Sequence, residues 1–477
     1  MSVARYEAVI GLEVHVQLKT RSKMFCSCAT SFGAEPNTHV CPVCLGYPGA
    51  LPVMNREAIR LTVLSGLMLG CRINPRSKFD RKSYFYPDMP KNYQITQYDQ
   101  PLCIGGGVEI ESAGGLVTVP LTRIHLEEDV AKNMHFAACS GIDFNRAGSP
   151  LMEIVSEPAM HTPEEAMAFL QALKQLLMYA GVSNCNLEEG NLRCDVNISL
   201  RPAGATALGT KAELKNLNSF KAVLLALRAE IMRQEALLNA GERVVQETRR
   251  WDLEAGATVL MRTKEDAHDY RYFPEPDLMP VVLSEAQIAD WGRELPETPH
   301  QRRARFAHEY GLPEYDARVL AADKAVGDFF EAAARGSKAP KTVSNWVMTE
   351  MLRRLGETGQ EIGAVKVTPG ALAELVELTE AGAINSNTAR ELFGELFANG
   401  GSPRALVAAR GLAQVSDSGV LAALVDQAIS ENAKSVEDYR RGKAVALKFL
   451  TGQVMKLSRG KANPQMVSGL LEERLKT

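Results

Sequence analysis

Apolar and polar residues alternate one by one through Ile10-Gly11-Leu12-Glu13-Val14-His15-Val16-Gln17-Leu18. Period two is the repeat of a β-strand, so Ile10, Leu12, Val14, Val16 and Leu18 share one face while Glu13, His15 and Gln17 share the other. The pattern returns over 191–201, where Leu192, Cys194, Val196, Ile198 and Leu200 oppose Arg193, Asp195, Asn197, Ser199 and Arg201. A short third strand over 211–215 places Lys211, Glu213 and Lys215 together. A fourth, over 117–124, leads into the acidic run His125-Leu126-Glu127-Glu128-Asp129. Gly105-Gly106-Gly107 reads as a hairpin tip.

Helical spacing interrupts these strands at three places. Thr162 can cap a helix with Pro163 at its first position, Glu164 and Glu165 at its positive end and Gly181 as its stop. A second helix is predicted over 219–240, closed by Gly241, and a shorter one over 55–69. Strands and helices without regular βαβ alternation indicate an α+β fold with an antiparallel sheet. From about residue 293 the chain reads as helices, after a linker at 294–299. A further break falls at Asn399-Gly400-Gly401-Ser402-Pro403, and an amphipathic helix is expected over 436–457. The expected domains are 1–292, 293–405 and 406–477.

A chain of 477 residues accommodates about two to four domains. No window approaches the ~18 uninterrupted apolar residues of a membrane helix. The first residues lack the pattern of a signal or transit peptide, so a cytoplasmic location is expected. The net charge of −3 speaks against a dedicated, charge-driven nucleic-acid binder. That charge is unevenly spread. Residues 406–477 hold 11 basic and 7 acidic side chains, a local +4, which leaves −7 on the rest. Arg440, Arg441, Lys443, Lys448, Lys456, Arg459 and Lys461 make a tail suited either to a phosphate backbone or to solvent.

The polar strand faces carry the candidate chemistry. A carboxylate and an imidazole two residues apart, Glu13 and His15, suit a divalent metal, and the mixture on 193–201 suits phosphate and carboxylate groups. The first face could equally be solvated, whereas solvent needs no such mixture as the second carries, and the three strands together could line one concave site. Glu127 or Glu128 could complete a site for Mg²⁺, which favours oxygen ligands and bridges to phosphates; parity does not choose between them. Two segments mix cations with aromatics, Phe79 to Asp88 and Asp269 to Asp277. Either could stack a nucleotide base or simply pack. Nine cysteines and no leader imply reduced thiols. Cys26-x-Cys28 and Cys41-Pro42-Val43-Cys44 match a structural zinc knuckle, with His39 as a substitute ligand. Neither a phosphate-binding P-loop nor a strand-linked G-x-G-x-x-G is present. Cys139 has no identifiable base, so ammonia chemistry would need an outside source.

The segments IGLEVHVQL from Ile10, KFDRKSYFYPD from Lys78, HLEED from His125, NRAGSPLMEIVSEP from Asn145, EEGNLRCDVNISLR from Glu188, GTKAELKNLNSF from Gly209 and DYRYFPEPDL from Asp269 resemble the signatures of one family. It is the B subunit family of the glutamine-dependent aspartyl/glutamyl-tRNA amidotransferase, and the resemblance spans essentially the whole chain. It implies an antiparallel-sheet cradle resembling the glutamine synthetase and guanido kinase fold, then an all-α helical domain and a YqeY-like tail that touches tRNA. It implies two protein partners, an amidase (A) subunit that releases ammonia from glutamine and a small C subunit, forming a heterotrimer. The implied reaction uses ATP and Mg²⁺ to phosphorylate the side-chain carboxylate of Glu on tRNA(Gln) or Asp on tRNA(Asn). Ammonia then displaces the phosphate. By motif, Glu13, His15, Glu128 and Glu213 are the implied magnesium ligands, and Cys26, Cys28, Cys41 and Cys44 the zinc ligands. Lys82, Arg193, Asp195 and Asn197 are implied to contact nucleotide, substrate or a tunnel gate. Two competing readings are a free-standing ligase acting on free glutamate or aspartate, and a non-catalytic tRNA-binding scaffold.

Overall fold

The computed structural model describes residues 5–263, 270–412, 418–458 and 462–476. The chain forms two compact units, Met1–Thr298 and Pro299–Thr477. Among the described residues, no helix is long and apolar enough to cross a membrane.

The first unit is built on one large sheet. Its main strands are β1 (Tyr6–Gln17), β2 (Asp80–Ser83), β3 (Tyr93–Thr96), β4 (Gly115–Glu128), β5 (Pro150–Ser156), β6 (Leu192–Pro202), β7 (Ala212–Lys215), β8 (Glu247–Asp252), β9 (Ala257–Thr263) and β10 (Phe273–Pro274). They lie in the order β9-β8-β7-β6-β1-β5-β4-β3-β2-β10. Every pair on this path is antiparallel except β7–β8, which is parallel. The sheet is therefore mixed rather than purely antiparallel. A parallel neighbour needs a long crossover, and helix α3 (Phe220–Asn239) lies in the chain between β7 and β8.

One face of the sheet is a core. Ile10, Leu12, Val14 and Val16 of β1 and Val196 and Ile198 of β6 are all at most 1% exposed. They belong to a single apolar cluster with Ile59 and Val63 of α1 (Arg56–Met68), Phe169 and Leu173 of α2 (Pro163–Tyr179), and Val223 and Leu227 of α3. Thr162 caps α2 in a reciprocal box: its hydroxyl accepts from the Glu165 N–H at 3.1 Å, and Glu165 accepts from the Thr162 N–H at 3.2 Å. Gly181 closes that region at φ +68°.

The second unit is helical and has two apolar cores. Phe306, Phe330, Leu372, Leu392 and Phe393 centre the first, which draws on residues from Phe306 to Val407. Leu421, Val425, Leu450, Val454, Val467 and Leu471 form the other.

Two local expectations are corrected. The helix expected over 436–457 is two helices, Ala433–Arg440 and Val445–Leu457, parted at Gly442 with φ +87°. Apolar periodicity runs through the break, whereas the left-handed backbone of Gly442 cannot continue a helix. The triple glycine is not a hairpin tip either. Cys103–Ile104 and Gly107–Ser112 both pair with β4, so Gly105 and Gly106 join two strands, and the reversal falls at Ala113–Gly114.

Gly106 has φ +85°, and a Cβ there would lie 2.5 Å from the Leu69 carbonyl oxygen. Gly106→Ala should lower the stability of the first unit by about 2 kcal/mol or more. Gly114→Ala, which meets nothing within 4 Å, should change it by less than about 0.5 kcal/mol. Urea midpoints at unchanged slope check both, and equal midpoints for the two variants would refute the strain.

Candidate functional site

The face opposite the core is polar because the strands alternate. Antiparallel pairing sets side chains of matched residues on the same side, and the registers align them in rows. His15 lies between Arg193 of β6 and Glu153 of β5, and Glu153 is matched in turn by His125 of β4. The neighbouring row matches Glu13 with Asp195, and the next matches Gly11 with Asn197 and Asn197 with Glu213. One surface thus carries Glu13, His15, Arg193, Asp195, Asn197 and Glu213.

At its centre His15, Glu127 and Glu153 each offer a ligand atom, all within 4.8 Å of one another. His15 Nε2 is 3.2 Å from Glu153 Oε2 and 3.6 Å from Glu127 Oε1. His125 Nε2 lies 3.8 Å from Glu153 and 3.9 Å from Glu127. The electrostatics are those of a packed acidic cluster. Burial works against charge on His15, but the hydrogen bond to Glu153 and the fields of both carboxylates prevail and raise it to about 8. Burial, aided by the positive charges of Arg123, His15 and Lys82 and opposed by Glu153, drives His125 down to about 4. Burial also pushes Glu127 up to about 7. It opposes Glu153 too, yet His15, His125 and Lys82 hold that carboxyl down to about 2. Without a cation, Glu127 is pushed toward keeping its proton while Glu153 stays ionised beside His15.

Lys82, on β2, feels the cluster from across the sheet and rests 4.9 Å from the Tyr270 ring centroid. The two cation–aromatic segments come together here through the β2–β10 pair and the Ser83 N–H to Tyr270 carbonyl bond at 2.8 Å. Tyr98 and Tyr272 stack with centroids 4.1 Å apart, and Tyr270 meets Tyr272 edge-on. Arg81 holds Glu275 through two bonds, 2.7 and 2.9 Å. Asp269 lies outside the described residues. Arg193 donates to Asp129 at 2.7 Å, and Asn197 donates to Glu13 at 2.9 Å. Lys215 bridges Asp195 and Glu213, and Thr248 donates to Glu213 at 2.8 Å.

Glu128 is the exception among the expected residues. It follows Ile124 and Leu126 on the core face, where Lys91 pairs with it and the Ile95 N–H donates to it at 3.0 Å. Alternation brings Glu127 to His15 and turns Glu128 away. Glu153 was missed outright as a single residue. Its signal was a lone carboxylate inside the apolar stretch Leu151-Met152-Glu153-Ile154-Val155.

The four cysteines form a second cluster, their sulfurs within 4.8 Å of one another. Cys41 and Cys44 Sγ are 3.9 Å apart, close to the ~3.8 Å edge of a tetrahedron with Zn–S of about 2.3 Å. The Cys41 N–H donates to Cys44 Sγ at 3.2 Å. The hydrogen bond between Cys26 and Cys44 lowers the Cys44 thiol and raises that of Cys26. Four thiols so placed fit a closed, structural metal site. His39 is outside the group, and its Nδ1 is buried without a partner.

In the tail, Arg440, Arg441, Lys443, Lys448 and Lys456 are all exposed. Arg441 and Lys443 pair with Glu437 and Asp438. Arg459 and Lys461 lie outside the described residues.

Comparison with known proteins matches residues 8–289 to the GatB/GatE catalytic domain and residues 328–475 to the GatB domain. The chain is 53% identical over 472 residues to the B subunit of the aspartyl/glutamyl-tRNA(Asn/Gln) amidotransferase of Thermoanaerobacter pseudethanolicus, covering 99% of both chains. It is 54% identical over 472 residues to that of Caldanaerobacter subterraneus, again covering 99% of both. With Thermodesulfovibrio yellowstonii the identity is 51% over 473 residues, 99% of this chain and 100% of the relative. A polar sheet face bearing clustered carboxylates and histidines, and sequence identity of this extent over the full length, place the chain in the GatB family.

Proposed function

We propose that this chain is the transamidation subunit of a tRNA-dependent amidotransferase, a ligase that forms carbon–nitrogen bonds with glutamine as the nitrogen donor. The family and the relatives' shared name support this reading, as does the acidic, histidine-bearing face beside Lys82 and Arg193. ATP phosphorylates the side-chain carboxylate of Glu on tRNA(Gln) or Asp on tRNA(Asn). An oxygen of that carboxylate bonds to the γ-phosphorus, and ADP leaves. Ammonia then attacks the acyl carbon and inorganic phosphate departs, with the surplus proton passing to solvent. An amidase (A) subunit would supply the ammonia and a small C subunit would complete a cytoplasmic heterotrimer.

His15, Glu127 and Glu153 are the residues we assign to Mg²⁺, with Glu13 and Glu213 on the flanking rows; Glu128 is left out because it faces the core. One imidazole and several carboxylates fit a hard divalent ion. When bound, that ion would neutralise phosphate charge during phosphoryl transfer. The chain's own cations do the rest. Lys82 places an ammonium beside the cluster, where a transferring phosphoryl group gains negative charge. Arg193, fixed by Asp129, presents a guanidinium in the His15 row. Asn197 orients Glu13, and Asp195 with Lys215 sets the edge of the surface. The tyrosines around Tyr272 offer ring faces to a base. The cysteine cluster is assigned to structural Zn²⁺. We read the sheet as a cradle of the glutamine synthetase and guanido kinase kind, with 1–292 as catalytic domain, 293–405 as helical domain and 406–477 as tRNA-binding tail.

The observation that carries the reading is the meeting of His15, Glu127 and Glu153. In the assembled complex, His15→Ala with Glu153→Gln should slow ATP-dependent amide formation on mischarged tRNA by about 100-fold or more, since several kcal/mol of charge stabilisation is withdrawn. Glutamine hydrolysis by the partner should continue. Undiminished amide formation would sink the assignment, and activity that survives RNase would point to a free amino acid as substrate.

Metal binding should also depend on pH. His15 must lose its proton to coordinate, as must Glu127, and these groups titrate at about 8 and about 7. Affinity for Mn²⁺ should therefore rise as pH climbs through this range and level off above it. Titration calorimetry in buffers of different ionisation enthalpy would register the released protons; a pH-independent affinity would contradict the arrangement.

For the tail, Lys448→Ala with Lys456→Ala should weaken tRNA binding and reduce the slope of log affinity against log salt by roughly 1–2. An unchanged slope would remove these side chains from the RNA interface.

A further inference from the structure

Lys23 is 1% exposed, the most deeply buried lysine or arginine among the described residues. Its ammonium donates to the Phe144 carbonyl at 3.2 Å and to Cys44 Sγ at 3.5 Å. Among the described residues no carboxylate lies within ion-pair distance of it. Glu128 lines the same small cavity but is already paired with Lys91. The Lys23 stem passes over Gly148, where a Cβ would stand 3.5 Å from Lys23 Cδ and 3.5 Å from Cys44 Cβ. A cation taken out of water requires an opposite charge nearby. The cysteine cluster, in hydrogen-bond contact with the ammonium, is the group placed to supply it.

Four neutral thiols would leave the ammonium uncompensated. Four thiolates around a divalent ion carry a net charge of about −2, and one ammonium halves that excess. Hydrogen bonds to metal-bound groups also orient them and strengthen metal retention.

The same side chain reaches beyond the cluster. Through Phe144 it holds the 142–149 segment, which Asn37 also grips by accepting from the Phe144 N–H at 2.8 Å and donating to the Ile142 carbonyl at 3.1 Å. The Asn145 side chain accepts from the His39 N–H at 2.7 Å, and the Met24 N–H donates to the Gly148 carbonyl at 2.7 Å. That segment runs directly into β5, the strand of Glu153.

We infer that Lys23 is the built-in counter-ion of the metal-loaded cysteine cluster, and that it ties metal loading to the segment feeding β5. The inference rests on the reading of the four cysteines as a metal site. Lys23 is a positioning residue and touches no substrate.

Zinc retention in the full chain tests it. Lys23→Met keeps the apolar stem and removes the charge, and should lose zinc to excess chelator about 10-fold faster or more. Lys23→Arg keeps the charge and should retain zinc nearly as the unaltered chain does. A second measurement needs no variant: acylation of Lys23 by an amine-reactive reagent, read by peptide mass. Lys23 should be protected in the loaded chain and labelled once zinc is stripped. Should Lys23→Met fail to fold, the labelling decides. Equal retention by Lys23→Met, or labelling indifferent to zinc, overturns the inference. A chain that takes up neither zinc nor cobalt fails earlier, at the reading of the cluster itself, and takes the inference with it.

Discussion

The register of β1 against its two neighbours is the constraint on which the site depends. His15 meets Glu153 and Arg193 only because β1 pairs with β5 and β6 at those positions. The register is fixed from the other side of the sheet, where Ile10, Leu12, Val14 and Val16 are buried against helices. A slip of one residue would present those four to solvent and bury Glu13 and His15, so the core selects one pairing. The apolar face does not merely support the chemistry. It determines which polar side chains can meet.

That meeting is electrostatically unfavourable by itself. Glu127 and Glu153 face each other across His15 with little water to separate them, and burial raises one carboxyl while the imidazole secures the other. The first unit holds these groups in place with a single large core that spans the sheet and the helices packed on it. A divalent cation would relieve the cluster, which is why the arrangement reads as a prepared site rather than a set of surface ion pairs. The cysteine cluster follows similar logic, with the sulfurs in the role of the carboxylates and the Lys23 ammonium already beside them as a cation.

Much of this was legible in the sequence, for identifiable reasons. Period-two alternation displayed both faces of β1 and β6, and the cap at Thr162 with the stop at Gly181 framed α2 closely. What alternation does not contain is the order of strands. The placement of β5 between β1 and β4, which brings Glu153 to His15, is set by tertiary pairing. Parity also failed at Glu127 and Glu128, since two adjacent acids fit either face until the position of Leu126 in the core is known. The break at Gly442 escaped because apolar periodicity continues across it. The resemblance to a family supplied the chemistry; the placement of Glu127 on the polar face came from the packing.

The opposed directions of Glu127 and Glu128 bear on how this chain can change over generations. Substitutions along β4 alter one face at a time and leave the other intact. Deletion or insertion of one residue just before Glu127 would do something else: it would turn both acids to the opposite face, an insertion carrying Glu127 from His15 to the Lys91 side and a deletion bringing Glu128 to His15 while Glu127 enters the core position of Leu126. This stretch should therefore tolerate drift in residue type while resisting drift in length, unlike the reversal at Ala113–Gly114, where the chain leaves the paired strands.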